Sequence, residues 1–200
     1  MDRALLYVHG MGGSPAEAEQ FRPFCPGCEV VGAEIADLTP WGAIGPIRVA
    51  FAALRRQHES VSLLANSIGA YFSMLALGDE PVAKAFFISP VVDLERLILG
   101  MMKQAGVSVD ELRARGEIVQ PTGPALSWKY LDFVRSCPLR WNHPTEILYA
   151  EGDILIPRDT VETFAAAHHA GLTVMPGGEH WFHTPEQMDF LSCWLARGTA

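Results

Sequence analysis

Long apolar runs are missing from this chain. No stretch approaches the roughly 20 apolar residues that a membrane-crossing helix needs, so a helical membrane protein is excluded. The first residues, Met1 to Val8, pass straight into a strand-like pattern without the charged and apolar regions of a signal peptide, and a cytoplasmic protein is expected. Positive charge is also short: 15 Lys and Arg stand against 23 Asp and Glu, for a net charge of −8. Nucleic acid or an anionic membrane would repel such a chain, which leaves a small neutral or weakly charged molecule as the expected partner. Cysteine is sparse. Cys25 and Cys28 form a Cys-Pro-Gly-Cys pair that suits a redox couple or half a zinc site, whereas Cys137 and Cys193 stand alone and supply no second pair. The plainer reading of Cys25 and Cys28 is two thiols in a loop. Internal repeats, low-complexity tracts and an interdomain linker are absent too.

What is present is a chain of 200 residues that is 49% hydrophobic, enough for one globular domain, residues 1–200, with a substantial core. Short runs rich in Val, Ile, Leu and Phe alternate with longer segments of helical period, the pattern of a mostly parallel sheet covered by helices. The runs are Ala4 to His9, Glu29 to Ile35, Ser60 to Asn66, Lys84 to Ser89, Glu146 to Ala150 and Leu172 to Met175. The expected class is therefore α/β, a three-layer α/β/α sandwich with a mostly parallel six-stranded sheet.

Helix starts are marked by capping chemistry. Ser14-Pro15-Ala16-Glu17 offers a cap, a first-turn proline and a returning glutamate, and Thr184-Pro185-Glu186-Gln187 repeats the device ahead of Met188, Leu191 and Leu195. A further helix is expected from about Pro46, with Ile47, Ala50, Phe51 and Leu54 on one face, and another after Ser67, with Ile68, Tyr71, Phe72 and Leu75 on one face. Asp93 to Trp141 breaks the alternation and reads as a helical lid insertion over one end of the sheet. Leu94, Leu97, Ile98, Met101 and Met102 make one apolar face there, and Ser108-Val109-Asp110-Glu111 makes another capping box. This insertion is close to electrically neutral, and the rest of the chain carries nearly all of the negative charge.

In Leu63-Leu64-Ala65-Asn66-Ser67-Ile68-Gly69-Ala70 an apolar strand ends in a serine with a small residue two positions to either side, then becomes a helix. The segment resembles the nucleophile elbow of the α/β-hydrolase superfamily, Gly-x-Ser-x-Gly, with Ala65 in the first glycine position. A serine that simply caps a helix is the plain alternative. After the first strand, His9-Gly10-Met11-Gly12-Gly13-Ser14 resembles the oxyanion loop of that superfamily. The dinucleotide spacing Gly-x-Gly-x-x-Gly is not met.

The resemblance implies a serine hydrolase of the esterase or lipase kind. Ser67 would be nucleophile, the backbone amides of Met11 and Ile68 would form the oxyanion hole, and no metal or organic cofactor would be needed. A serine hydroxyl needs a base. His180, in the Gly-bearing loop after the last strand, is favoured over His183, which adjoins the Thr184 cap; His168 and His169 read as surface residues and His9 as a holder of its loop. The orienting carboxylate is expected at Asp153, after Ile147 to Ala150, with Asp93 as rival; Glu151 reads as a surface neighbour and Asp159 as a first-turn helix residue. The order Ser, Asp, His matches the superfamily.

A small ester or thioester is the expected substrate, with Leu97, Met101 and Trp128 of the insertion lining an apolar acyl pocket or merely sealing the lid. Thioesterase, peptidase, cofactor-free haloperoxidase or lyase chemistry on the same elbow, and a non-catalytic binder of the same fold, stay open.

Overall fold

A computed structural model describes residues 2–199 of the chain. It divides into two compact units: a body, up to Val92 and from Arg140 onward, and an insertion, Asp93–Leu139. In chain order the strands are β1 (Arg3–Val8), β2 (Cys28–Gly32), β3 (Ser60–Asn66), β4 (Ala85–Ile88), β5 (Glu117–Ile118) and β6 (Leu126–Ser127) of the insertion, β7 (Thr145–Ala150) and β8 (Gly171–Met175). The helices are a 3₁₀ helix (Pro15–Phe24), α1 (Pro40–Arg55), α2 (Ile68–Leu77), α3 (Leu94–Ala105), α4 (Val109–Arg115), α5 (Trp128–Ser136), α6 (Arg158–Ala167) and α7 (Pro185–Thr199). Among the described residues no helix is long and apolar enough to cross a membrane.

The body is a six-stranded sheet in the order β2-β1-β3-β4-β7-β8. Every neighbouring pair is parallel. A parallel sheet is covered on both faces, which is why β1 and β4 are unbroken apolar runs rather than alternating ones. On one face Leu5, Tyr7, Leu64, Phe86, Ile88 and Leu148 meet Ala18 and Phe21 of the 3₁₀ helix and Leu191, Trp194 and Leu195 of α7. The alternate residues Leu6, Val8, Leu63, Ala65 and Phe87 are equally buried on the opposite face. Because the chain leaves β1 for β2 on one side and returns to β3 on the other, the strand order reverses at β1. Ligands gather beyond the carboxyl ends of strands at such a point.

The elements differ from sequence expectation in three places. The segment after Ser14 is a 3₁₀ rather than an α-helix, with Pro23 inside it. The helix expected from about Pro46 starts at Pro40, where Thr39 Oγ1 accepts the Gly42 amide at 3.1 Å; Pro46 lies inside α1 and removes one helical hydrogen bond. Finally, α2 is buried on nearly every side, including Gly69, Ala70, Ser73, Met74 and Ala76, and so is a central helix rather than an amphipathic surface one.

In the insertion, each helix opens on a side-chain cap. Asp93 Oδ1 accepts the Arg96 amide at 2.9 Å, Ser108 Oγ the Glu111 amide at 3.1 Å and Ser127 Oγ the Tyr130 amide at 3.4 Å. Gly106, at φ 67°, ends α3 in the left-handed conformation. A 2.7 Å ion pair between Arg135 and Glu95 joins α5 to α3. The insertion ends at Leu139, not Trp141: the Trp141 indole donates to Thr145 Oγ1 at 2.8 Å and packs on Phe87 in the body.

Candidate active site

The elbow is built by strain and close approach. Ser67 leaves β3 with φ 51° and ψ −122°, a region that side chains rarely occupy and that costs about 1–3 kcal/mol. The surrounding backbone holds it there: its amide donates to the Ile88 carbonyl at 2.9 Å, and its carbonyl accepts the Ala70 and Val91 amides at 3.1 and 3.0 Å. Gly69 is needed two residues later because a Cβ there would lie 2.6 Å from the carbonyl oxygens of both Val8 and His9. This packing brings the start of α2 against the end of β1. Ile68 opens α2, so its amide is among the first-turn N–H groups that have no partner within the helix.

Two other loops converge on the Ser67 hydroxyl. The loop after β7 carries Asp153 and the loop after β8 carries His180, and the two loops are joined where the Gly152 amide donates to the Gly178 carbonyl at 2.8 Å. Nε2 of His180 lies 2.9 Å from Ser67 Oγ, and Nδ1 lies 2.7 Å from Asp153 Oδ2. The other carboxylate oxygen, Asp153 Oδ1, accepts the amides of Leu155 and Ile156 at 2.8 and 2.9 Å. The Asp153 side chain is fully enclosed and that of His180 is 2% exposed, so the pair is held out of water. A carboxylate facing Nδ1 keeps the ring proton on that nitrogen and leaves Nε2 as a lone pair aimed at the hydroxyl.

The loop after β1 lies beside this cluster. A Cβ on Gly10 would come 3.1 Å from Ser67 Cβ, and the Gly13 amide closes a turn onto the Gly10 carbonyl at 3.2 Å with Gly12 at φ 76° between them. Met11 sits at this turn, its side chain exposed. His9 is buried, with Nδ1 2.9 Å from the Gly10 carbonyl, which fits a residue that holds its own loop.

The rival residues are elsewhere. Asp93 caps α3 through Arg96 while Asp153 meets His180. The His183 ring is exposed and lies 3.5 Å from Glu179 Oε2. Nδ1 of His168 is 2.7 Å from the Trp141 carbonyl, so this residue is half-buried and tied to the body rather than free on the surface. Glu151 Oε2 accepts the Gly177 amide at 3.0 Å. Leu97 and Met101 lie one turn apart on α3, and the face of Trp128 at the start of α5 carries the Arg113 guanidinium 4.5 Å from its centroid. Cys25 and Cys28 close a tight turn through the Cys28 amide and Cys25 carbonyl at 3.1 Å. Burial pushes the Cys25 thiol up to about 11 and raises the Cys28 thiol too, the reverse of what an active redox thiol needs.

Sequence reasoning passed over Tyr7 and Glu17, which hydrogen-bond to each other beside the loop after β1. Tyr7 was absorbed into a strand and Glu17 into a cap. The signal was the polar tip that Tyr7 brings to the otherwise aliphatic buried run of residues 4–8.

No protein-family model matches the chain, and no curated protein matches its sequence. Solved structures do match in fold. Est1E from Butyrivibrio proteoclasticus superposes with a TM-score of 0.80 at 15% identity, over 98% of this chain and 86% of that one. The same protein with ferulic acid bound gives a TM-score of 0.75 at 15% identity, over 98% and 87%. An esterase from Pyrobaculum calidifontis gives 0.69 at 15% identity, over 98% and 75%. Alpha/beta hydrolase domain-containing protein 10 from mouse gives 0.65 at 16% identity, over 97% and 88%. With the parallel sheet, the reversal at β1 and the strained serine turn after β3, these likenesses identify the polypeptide as having the α/β-hydrolase fold.

Proposed function

We propose that this chain is a serine hydrolase that cleaves a carboxylic ester through an acyl-enzyme. The observation that carries the reading is the continuous relay from Asp153 Oδ2 to His180 Nδ1 at 2.7 Å and from His180 Nε2 to Ser67 Oγ at 2.9 Å, ending at a strained serine. His180 takes the Ser67 proton as Oγ attacks the ester carbonyl carbon. Asp153 stabilises the imidazolium, and the amides of Met11 and Ile68 receive the charge that develops on the carbonyl oxygen. Collapse of the tetrahedral intermediate breaks the ester C–O bond, and the imidazolium returns its proton to the departing alcohol. Water, deprotonated by His180, then releases the acid by the same path in reverse.

The substrate is proposed to be apolar around the scissile bond. Each of the site's loops carries a large exposed apolar side chain: Met11 in the loop after β1, Ile154 and Leu155 following Asp153 in sequence, and Trp181 following His180. Ile154 is 86% and Trp181 59% exposed, so both are open to an apolar substrate group. Est1E, solved with ferulic acid, makes hydroxycinnamoyl esters a sensible part of the substrate panel.

The test is labelling by a fluorophosphonate together with turnover of p-nitrophenyl esters of increasing chain length. Labelling and turnover are expected in the native chain and absent in Ser67→Ala. Equal labelling of Ser67→Ala, or none in the native protein beside a labelled control esterase, refutes the assignment.

A further inference from the structure

We propose that Tyr7 and Glu17 are positioning residues for the oxyanion hole: a buried hydroxyl near the end of β1 is tied through Glu17 to the oxyanion loop. The inference rests on the serine-hydrolase reading above.

Tyr7 is the penultimate residue of β1, fully buried, with its ring 5.0 Å from that of Phe21. A hydroxyl so placed must find a partner or forfeit its hydration. It donates to Glu17 Oε2 at 2.5 Å. The other oxygen, Oε1, accepts the Ser14 amide at 3.1 Å. Burial, and then the adjacent Glu17 carboxylate, hold the Tyr7 pKa well above the ordinary tyrosine range.

The loop has no slack through which to escape this tie. A Cβ on Gly13 would sit 2.9 and 3.1 Å from the two Glu17 oxygens and 3.0 Å from His9 Cβ, so the backbone is folded tightly onto the carboxylate. From Gly13 the turn closes on Gly10, and Gly10 abuts Ser67. A shift of Glu17 therefore passes through Ser14 and the 10–13 turn to the Met11 amide. The two donors of the hole come from segments more than 50 residues apart in sequence, so the Met11 amide keeps its place beside the Ile68 amide only if the loop after β1 is held, and the Tyr7–Glu17–Ser14 tie holds it. Pre-organised donors of this kind act on the transition state rather than on the bound substrate.

The experiment compares Tyr7→Phe, Glu17→Ala and Glu17→Gln for ester turnover and for inhibition by a trifluoromethyl ketone, whose hemiketal oxygen mimics the oxyanion. Since removing a whole donor costs roughly 100–1,000-fold, displacing one is expected to lower kcat by about 10–100-fold in Tyr7→Phe and Glu17→Ala. KM should move less than about threefold, and ketone affinity should weaken in step with kcat/KM. Glu17→Gln keeps an oxygen for Ser14 and gains an N–H for the Tyr7 oxygen, so it should recover most of what Glu17→Ala loses. A merely structural cap would not link kcat to ketone affinity. Native kcat in Tyr7→Phe, or a loss confined to KM with ketone affinity unchanged, overturns the proposal. If Tyr7→Phe does not fold, Glu17→Ala, at a half-buried site, decides by the same criteria. Native protein that neither turns over esters nor takes the fluorophosphonate label overturns the hydrolase reading and this proposal together; active native protein with active variants overturns this proposal alone.

Discussion

Replacing Ser67 by glycine and by alanine separates the strain at the elbow from its chemistry. Both variants lose the hydroxyl and its 2.9 Å hydrogen bond to His180, so on that account they are equal. They differ in the backbone. Alanine keeps a Cβ at φ 51° and ψ −122°, whereas glycine occupies that region freely. Relief of the strain is worth about 1–3 kcal/mol, and the extra freedom of glycine in the unfolded chain takes back about 0.5–1 kcal/mol. Ser67→Gly should then be more stable than Ser67→Ala by about 1 kcal/mol, or roughly 2–4 °C in Tm for a chain of this size. Denaturant midpoints and calorimetry on the two purified proteins measure the difference, and neither should hydrolyse esters. If Ser67→Gly is no more stable than Ser67→Ala, the turn is not strained and the reasoning about how the serine is held is wrong.

Two further perturbations follow from the same geometry. In Asp153→Asn the side-chain oxygen stays with the Leu155 and Ile156 amides, so the new NH₂ faces His180 Nδ1 and drives the ring proton to Nε2. Turnover should fall by about 1,000–10,000-fold with little change in Tm, and a loss under tenfold in steady-state assays contradicts the proposed role. Cys25 supplies a pH signature: its thiol is pushed up to about 11 from an ordinary value of 9.0, chiefly by burial. A raised folded-state pKa stabilises below the unfolded value and is lost as pH rises through the folded one. Stability should decline between about pH 9 and 11, and Cys25→Ala should flatten that limb; parallel urea midpoints for both proteins from pH 8 to 10.5 would refute it.

The strands were legible because a doubly covered parallel sheet needs continuous apolar runs, and all six expected runs are strands of the body sheet. Helix starts were legible where one side chain caps its own first turn, as at Ser108 and Thr184. They were misread where proline gave two plausible beginnings: Pro46 looked like a first-turn residue, yet Thr39-Pro40 offers the same device one and a half turns earlier. The all-round burial of α2 could not be seen in a pattern that has several apolar faces at once. The insertion boundary differs by two residues because the Trp141 indole bonds to Thr145 in the body, a contact no local pattern shows.

The candidate site divides in the same way. Ser67, the glycines around it and the loop after β1 are local features, since a tight turn needs small residues at fixed offsets whatever surrounds it. Asp93 and Asp153 each follow a strand end, and in the sequence only the resemblance to the superfamily favours Asp153. What separates them is that β7 and β8 are neighbours in the sheet, so that the loop after β7 meets the loop bearing His180, while Asp93 is spent on a helix cap. The meeting of Tyr7 and Glu17 was likewise invisible, because it joins a strand to a 3₁₀ helix. Sequence by itself determined the local conformations and the kinds of chemistry available, which depend on neighbours a few residues away. Tertiary structure alone decided which groups touch, because contacts such as that between Ser67 and His180, 113 residues apart, depend on strand order and register rather than on any local pattern.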